Sequence, residues 1–163
     1  MKSFLVYILI LIPGFLFAYP ELNDSVTYNG KYHFQDKKVT IGFIQEFLVT
    51  EVDKAANKYK IQTTFYTPDG KDSVEIKEVD GNELKTKAQV QETLRECENV
   101  GGKLQKLTVI AGTYSTCYFM DEKKNEIWIA DVPFFIAKQV EYDEKGNRIE
   151  VELALVHEAN TQK

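Results

Sequence analysis

The sequence predicts a mainly β (α+β) fold, a curved antiparallel sheet or unclosed half-barrel of about eight or nine strands with one main helix packed on it. Most apolar residues alternate with polar ones at a period near two, which is typical of strands. Turn-forming pairs such as Asp80-Gly81 separate these segments. Only one segment has convincing helical spacing. Because a sheet that is apolar on one face must cover that face, we expect it to curve.

The predicted strands follow this alternation. They cover residues 25–34, 39–52, 61–67, 73–78, 104–111, 114–120, 126–130, 134–142 and 148–158. In the first segment, Asn29-Gly30 predicts a turn or a bulge, so this segment is interpreted as one strand or as a hairpin. The last two strands form a hairpin around the turn 143–147.

The single helix is predicted to begin at Thr86. Gln89 follows three residues later, so that the two side chains can form a capping box. Val90, Leu94 and Cys97 then recur at helical spacing, and Gly101-Gly102 predicts the end of the helix. We therefore expect Cys97 on the apolar stripe of the helix, near its end.

The first eighteen residues (1–18) have the pattern of a secretory signal peptide. Lys2 precedes an apolar run that ends at the small residue Ala18. This run is about fifteen residues long, shorter than the roughly twenty that a spanning helix needs. We expect cleavage after Ala18, a single β-rich domain of residues 19–163 and a periplasmic or secreted location; an uncleaved anchor is the alternative. No cysteine near the cut could carry a lipid, and no stable membrane span is expected after cleavage.

The charge of the chain argues against nucleic acid as a partner. The formal net charge is -5. Loss of the single positive charge of Lys2 with the signal peptide would make it -6. The remaining Lys and Glu residues are scattered rather than clustered, whereas phosphate binding uses concentrated Lys and Arg. An acidic membrane surface is disfavoured for the same reason.

The chain has two cysteines, Cys97 and Cys117. In an oxidising compartment, two cysteines predict a structural disulfide. The alternative is a redox pair, but reactive dithiols are typically close in sequence, as in Cys-x-x-Cys. We therefore expect a bridge that fixes the end of the helix to the strand after Gly112.

No residue pattern predicts catalysis, a metal site or a cofactor. His33 and His157 lie far apart in sequence and lack further ligands at a recognisable spacing. Asp131 interrupts an apolar stretch, and we interpret it as a turn-capping residue. No serine lies in a Gly-x-Ser-x-Gly motif, and no glycine-rich phosphate loop follows a strand. The sequence thus predicts a protein that is not an enzyme.

Large aromatic side chains are numerous for a small domain. On strands they usually fill a core, but a curved sheet with a helix across it can also leave a concave pocket for an acyl chain. Sequence does not separate these two arrangements. The candidate ligand-binding residues for such a pocket are Phe43, Phe47, Phe65, Trp128, Phe134 and Phe135.

The order of these parts resembles that of the outer-membrane lipoprotein carrier (LolA/LolB-like) group. The segments that carry the resemblance are Ala111-Gly112-Thr113-Tyr114 and residues 128–134, before a final hairpin. The resemblance implies an unclosed barrel with helices over its mouth and a role in binding acyl chains between membranes. The chain departs from the group in its smaller size and in having one convincing helix where the carrier's lid has more.

The leading functional hypothesis is a soluble exported envelope protein, non-enzymatic, that binds a lipid or another hydrophobic ligand in its curved sheet. The alternative is a structural or protein-interaction module of the envelope, with a protein partner on an exposed strand edge. An enzyme acting on an envelope substrate has the least support, because no nucleophile and base can be paired.

Overall fold

The structure is a computed structural model that describes residues 20–159. The predicted signal peptide therefore lies outside the described residues. The strands are β1 (Ser25–Phe34), β2 (Val39–Asp53), β3 (Lys58–Tyr66), β4 (Ser73–Asp80), β5 (Lys103–Val109), β6 (Gly112–Met120), β7 (Glu126–Ile129), β8 (Ile136–Tyr142) and β9 (Arg148–His157). A short 3₁₀ helix (Gly81–Glu83) and the helix α1 (Lys87–Arg95) lie between β4 and β5.

The nine strands form one sheet in the order β4-β3-β2-β1-β9-β8-β7-β6-β5. All neighbouring strands are antiparallel. β1 and β9 pair with each other in the middle of the sheet. The sheet does not close, because β4 and β5 are its two edges. The predicted fold class, an unclosed antiparallel sheet with one main helix, is confirmed.

Irregularities in the ladders accompany the curvature of the sheet. The register shifts at Thr27/Tyr28, at Val49/Glu51 and at Trp128/Ile129, and such shifts bend a strand and increase its twist. The β5–β6 turn reaches β9, where the amide of Ala111 donates to the carbonyl of Leu153 at 3.1 Å.

The core is divided into three clusters of buried side chains. The central cluster consists of Val26, Tyr28, Val109, Trp128, Ala130, Val132, Ala137, Val140 and Leu153. The β2–β3 cluster consists of Val49, Tyr59 and Ile61. The helix-side cluster consists of Val90, Cys97, Cys117 and Ile129.

The two faces of β6 and β7 belong to different clusters. Cys117 pairs with Ile129 on the face that contacts α1, whereas the next pair, Tyr118 and Trp128, points to the other face, because side chains alternate along a strand. The helix therefore covers one face of β6 and β7. On the opposite face, Trp128 packs into the central cluster.

The start of α1 is as predicted, but its end is not. The Thr86 hydroxyl accepts from the Gln89 amide and the Gln89 side chain accepts from the Thr86 amide, which completes the capping box. The helix ends at Arg95, so that the prediction of Cys97 within it is wrong. Cys97 lies in the following turns, where its carbonyl accepts from Gly102 at 2.8 Å and its sulfur reaches β6.

Of the two interpretations of the first segment, the single strand is confirmed, because β1 is continuous and Gly30 pairs with Phe43 of β2. Asn29-Gly30 is therefore not a turn, and the irregularity of β1 lies at Thr27/Tyr28. One further local prediction is wrong. Phe134 and Phe135 precede β8 instead of beginning it, with φ values of 60° and 54°. Hydrogen bonds from the amides of Phe135 and Ala130 to the carbonyls of Val132 and Phe135, both 2.9 Å, hold this tight turn.

The predicted disulfide between Cys97 and Cys117 is present, with Cα atoms 5.6 Å apart. It ties the turns after α1 to the centre of β6. Within residues 20–159, no helix is long and apolar enough to cross a membrane.

Candidate functional site

An open groove of about 430 Å³ lies across one end of β1, β2 and β3. Its lining residues are Asn29, Gly30, Lys31, Gly42, Phe43, Ile44, Tyr66, Thr67 and Pro68. Most of the exposed lining is apolar. A volume of this size lies within the roughly 300–1,000 Å³ that small-molecule sites occupy.

The register of three strands assembles the groove. Phe43 pairs with Gly30 across β1 and β2, and Ile44 pairs with Tyr66 across β2 and β3. The Phe43 ring lies over Gly30, where a side chain would have no room. A Cβ on Gly42 would make only an ordinary contact, 3.9 Å from the Gly30 carbonyl oxygen. Because side chains alternate along a strand, the Phe43 ring lies on the face of Gly30, whereas Lys31, Ile44 and Tyr66 lie on the other face of the sheet.

Several apolar side chains of the groove are in contact with solvent. Ile44 is 42% exposed and Tyr66 is 41% exposed. The Phe43 ring is half-buried, with its centroid 6.1 Å from that of Phe65. The groove is therefore a site at which an apolar molecule could cover apolar side chains that the fold leaves exposed to solvent.

Among residues 20–159, Lys31 is the one charged residue that lines the groove. Its neighbour across β9 is Glu150, which already accepts from Lys138 at 2.5 Å and from Arg148 at 2.7 Å. Burial raises the pKa of Glu150, but its bonds to these two cations outweigh burial and hold it below the usual value. The Lys31 ammonium has no ion pair within residues 20–159.

The six predicted ligand-binding residues do not form one site. Phe43 lines the groove, and Phe65 lies beside it. Phe47 and Phe134 pack against the central and β2–β3 clusters, with ring centroids 5.5 Å apart. Phe135 packs against the helix-side cluster. Ligand binding by these residues stays a prediction.

Trp128 lies in the interior rather than in the groove. It is 9% exposed, its ring centroid is 4.9 Å from that of Tyr118, and Lys138 Nζ is 5.7 Å from its centroid. Its indole Nε1 is buried and has no hydrogen-bond partner among the described residues. The side chain therefore acts as core packing, with a polar N–H that could report on any molecule entering the interior.

The other polar residues singled out in the sequence are not brought together. His33 lies opposite Arg148 and His157 opposite Ser25, at the two ends of β1. His33 Nδ1 is 2.8 Å from Thr40 Oγ1, and Asp131 accepts from Gln91 of α1 at 3.0 Å. No group of His, Cys, Asp and Glu within residues 20–159 is arranged to hold a metal ion.

Sequence reasoning missed most of the groove. The sequence places Tyr66 among the numerous aromatic residues of the strands, but it is not one of the candidate ligand-binding residues. Pro68 indicates only a turn, and Gly42 carries no signal. The proximity of these residues to Phe43 depends on pairing between strands, which the alternation pattern of each single strand does not reveal.

The unclosed, curved β-sheet with a helix on one face defines the structural class of this chain. No family model and no curated protein sequence matches it. A solved structure from Bacteroides fragilis, described as an exported protein with a YmcC-like fold, has a TM-score of 0.50 and 9% identity over 87% of this chain and 99% of that one. A structure from Parabacteroides distasonis, described as a lipoprotein, has a TM-score of 0.51 and 11% identity over 89% and 100%.

At these identities the likeness concerns the fold alone. It agrees with the predicted β fold. Neither neighbour is described as a lipoprotein carrier, so the resemblance to the LolA/LolB-like group stays a prediction beyond its fold.

Proposed function

We propose that this protein is a non-enzymatic, exported domain of the cell envelope that binds an amphiphile, an apolar chain with an anionic head group, in the groove at Lys31, Ile44 and Tyr66. The observation that carries the proposal is that two solvent-exposed apolar side chains share one face of the sheet with a lysine that has no ion pair within residues 20–159.

Export is supported by two independent observations. Residues 1–18 have the pattern of a signal peptide, and a disulfide is suited to an oxidising compartment. The two neighbours in fold are described as an exported protein and a lipoprotein, which agrees with a role outside the cytosol.

The groove is a better place for the ligand than the interior of the sheet. Trp128, Tyr118, Phe47 and Phe134 occupy the interior with ring contacts of 4.9 and 5.5 Å, so that a ligand there would have to displace aromatic side chains. In the groove, a ligand would cover Ile44 and Tyr66 without moving the core.

The preference for an anionic head group rests on Lys31. Its ammonium borders an otherwise uncharged lining, and the nearest carboxylate across the ladder, that of Glu150, already has two cations. A carboxylate or phosphate at the end of an apolar chain would give Lys31 its missing partner, with a modest gain because the pair would be exposed.

The proposal that the protein is not an enzyme rests on the separation of its reactive groups. Both cysteines are used in the disulfide, and the two histidines lie at opposite ends of β1. Thr40 Oγ1 lies 2.8 Å from His33 Nδ1, but this contact is exposed and lies outside the groove. The other ring nitrogen, His33 Nε2, has no partner among the described residues that could orient the imidazole as a base.

A calorimetric titration of the purified protein with palmitate tests the proposal. Two isoleucines of β2 provide a matched pair of variants. Ile44 lines the groove and is 42% exposed, whereas Ile41 lies outside it and is 43% exposed. We expect saturable binding that Ile44→Ser weakens by about tenfold, the effect of losing most of one apolar contact, and that Ile41→Ser leaves unchanged.

Hexadecanol, which has the same chain and no charge, isolates the contribution of Lys31. We expect Lys31→Gln to weaken binding of palmitate by up to about fivefold and to leave hexadecanol unaffected. Absence of binding to either compound, or equal losses in Ile44→Ser and Ile41→Ser, would contradict the proposal.

A protein-interaction module is the second candidate, and one observation favours it. The edge strand β4 exposes 61% of Val74 and 60% of Ile76, which are large values for apolar side chains. An exposed strand of this kind can accept another strand through its free backbone groups.

A further inference from the structure

The outer edge of β4 is open along its length. β3 lies on one side, and no strand within residues 20–159 lies on the other. Residues 73–78 are all exposed. Backbone N–H and C=O groups along such an edge are available for pairing with a further strand.

Charged and apolar side chains alternate along this edge, and the two charges are of opposite sign. Glu75 and Lys77 lie on one face, and Val74 and Ile76 lie on the other. Across β3, Glu75 pairs with Thr63 and Lys77 pairs with Ile61, so that neither charge has an opposite charge across the ladder. Charges often protect an edge from pairing. Here, however, the order of the two charges allows two antiparallel copies of β4 to place each glutamate opposite a lysine.

We propose that β4 is a homodimer interface, in which the β4 strands of two copies pair antiparallel about a two-fold axis at Ile76. In this register Ile76 lies opposite Ile76 of the second copy. Each Glu75 then lies opposite Lys77 of the other copy, and the two-fold axis generates this pair twice. Directly opposite residues in an antiparallel pair contact each other, so the register gives one apolar pair and two ion pairs. It also places Val74 opposite Glu78, whose carboxylate lies 3.9 Å from Lys58 Nζ of its own copy.

Neighbouring registers are disfavoured by charge. A shift of two residues in one direction places Glu75 opposite Glu75 on the axis, and a shift in the other direction places Lys77 opposite Lys77. Beyond the paired segment, Asp80 would approach Asp72 of the second copy, but its carboxylate lies 3.5 Å from Lys58 Nζ and is therefore compensated. The register centred on Ile76 is thus the one that the sequence of β4 selects.

Sedimentation equilibrium of the purified protein tests the interface. A single strand pair is small, so we expect a weak dimer, detectable at protein concentrations up to about 1 mM. Glu75→Lys and Lys77→Glu should each weaken it by about tenfold or more, because both create two like-charge contacts. Lys106→Glu, a charge reversal on the opposite edge strand β5, is the matched control and should leave the dimer unchanged.

Mixing the two variants distinguishes pairing in this register from a general effect of charge. Glu75→Lys presents two lysines and Lys77→Glu presents two glutamates, so the mixture should form a heterodimer at least as stable as the original dimer. A protein that stays monomeric at about 1 mM overturns the proposal. This result is expected if β4 pairs only with a strand of another protein. A dimer unaffected by Glu75→Lys, or no heterodimer in the mixture, also overturns it.

Discussion

The ring of Phe43 occupies the space that a side chain at Gly30 would need. A Cβ on Gly30 would lie 2.1 Å from two carbons of this ring, far inside van der Waals contact. The two residues are directly opposite each other in β1 and β2. One glycine in a strand therefore makes room for the aromatic ring opposite it, on the face of the sheet away from Ile44 and Tyr66.

Gly30→Ala is expected to force the Phe43 ring away from β1 and to destabilise the pairing of β1 with β2. Overpacking of this kind costs about 1 to 3 kcal/mol, and rotation of the ring limits the cost to the lower part of this range. The matched control is Gly42→Ala, because a Cβ there meets only the Gly30 carbonyl oxygen at 3.9 Å. Denaturant unfolding measures the cost, and equal stability of the two variants would contradict the role of Gly30.

Trp128→Ala is expected to destabilise the protein by about 3 to 5 kcal/mol, the usual cost of removing a buried large aromatic side chain. The residue is 9% exposed and packs with Tyr118 in the central cluster. Ile44→Ser, at an exposed site in the groove, should cost much less. Thermal unfolding compares them, and a fully stable Trp128→Ala protein would show that the interior is a cavity rather than a core.

Removal of the disulfide is expected to cost about 3 kcal/mol, since Cys97 and Cys117 are separated by 20 residues and the bridge restricts the unfolded chain. Cys97→Ala/Cys117→Ala should lower the unfolding midpoint without changing the fold. The measurement is denaturant unfolding of both proteins under oxidising conditions, with the reduced original protein as the control. Equal midpoints would show that the bridge does not stabilise the domain.

Gly102 provides an independent test of the same bridge. A Cβ at Gly102 would lie 2.5 Å from Cys117 Sγ and 2.8 Å from Cys97 Sγ. Gly102→Ala should therefore destabilise the disulfide-bonded protein more than the double alanine variant, which has no sulfur there. A double-mutant cycle measures this coupling, and additive effects would contradict the contact.

Asp143 should contribute to stability in a pH-dependent way. Tyr32 donates to its carboxylate at 2.6 Å, and hydrogen bonds from Tyr32 and Asn147 lower the pKa of Asp143 to about 2. Because this value is below the roughly 3.9 of an unfolded chain, the contribution is present above about pH 4 and is lost as pH falls toward 2. NMR titration should show Tyr32→Phe raising the pKa of Asp143; an unchanged pKa would remove Tyr32 from this explanation.

The alternation of apolar residues was sufficient to predict the strands, because the period of side chains along a strand is a local property. The position of Cys97 was predicted less well, because the helical spacing of apolar residues continues past Arg95, where the helix ends. Beyond that point Cys97 is held by its disulfide with Cys117 and by the hydrogen bond from the Gly102 amide to its carbonyl. Phe134 and Phe135 were predicted in a strand, but both adopt positive φ in a tight turn from which their rings enter different clusters. Such conformations depend on tertiary packing.

The candidate groove was predictable only in part. Phe43 could be selected as an aromatic residue on a long strand, but its proximity to Tyr66 and Gly30 follows from the register of β1, β2 and β3. Register is a relation between distant segments, and a single sequence gives little information about it.

NMR chemical-shift mapping with palmitate tests the central claim most directly, because the groove and the interior have separate reporters. We expect saturable shifts at the amides of Gly30, Gly42, Phe43 and Ile44, with the indole N–H of Trp128 unchanged. Shifts centred on the Trp128 indole, or no shifts at saturating palmitate, would contradict a ligand site in the groove.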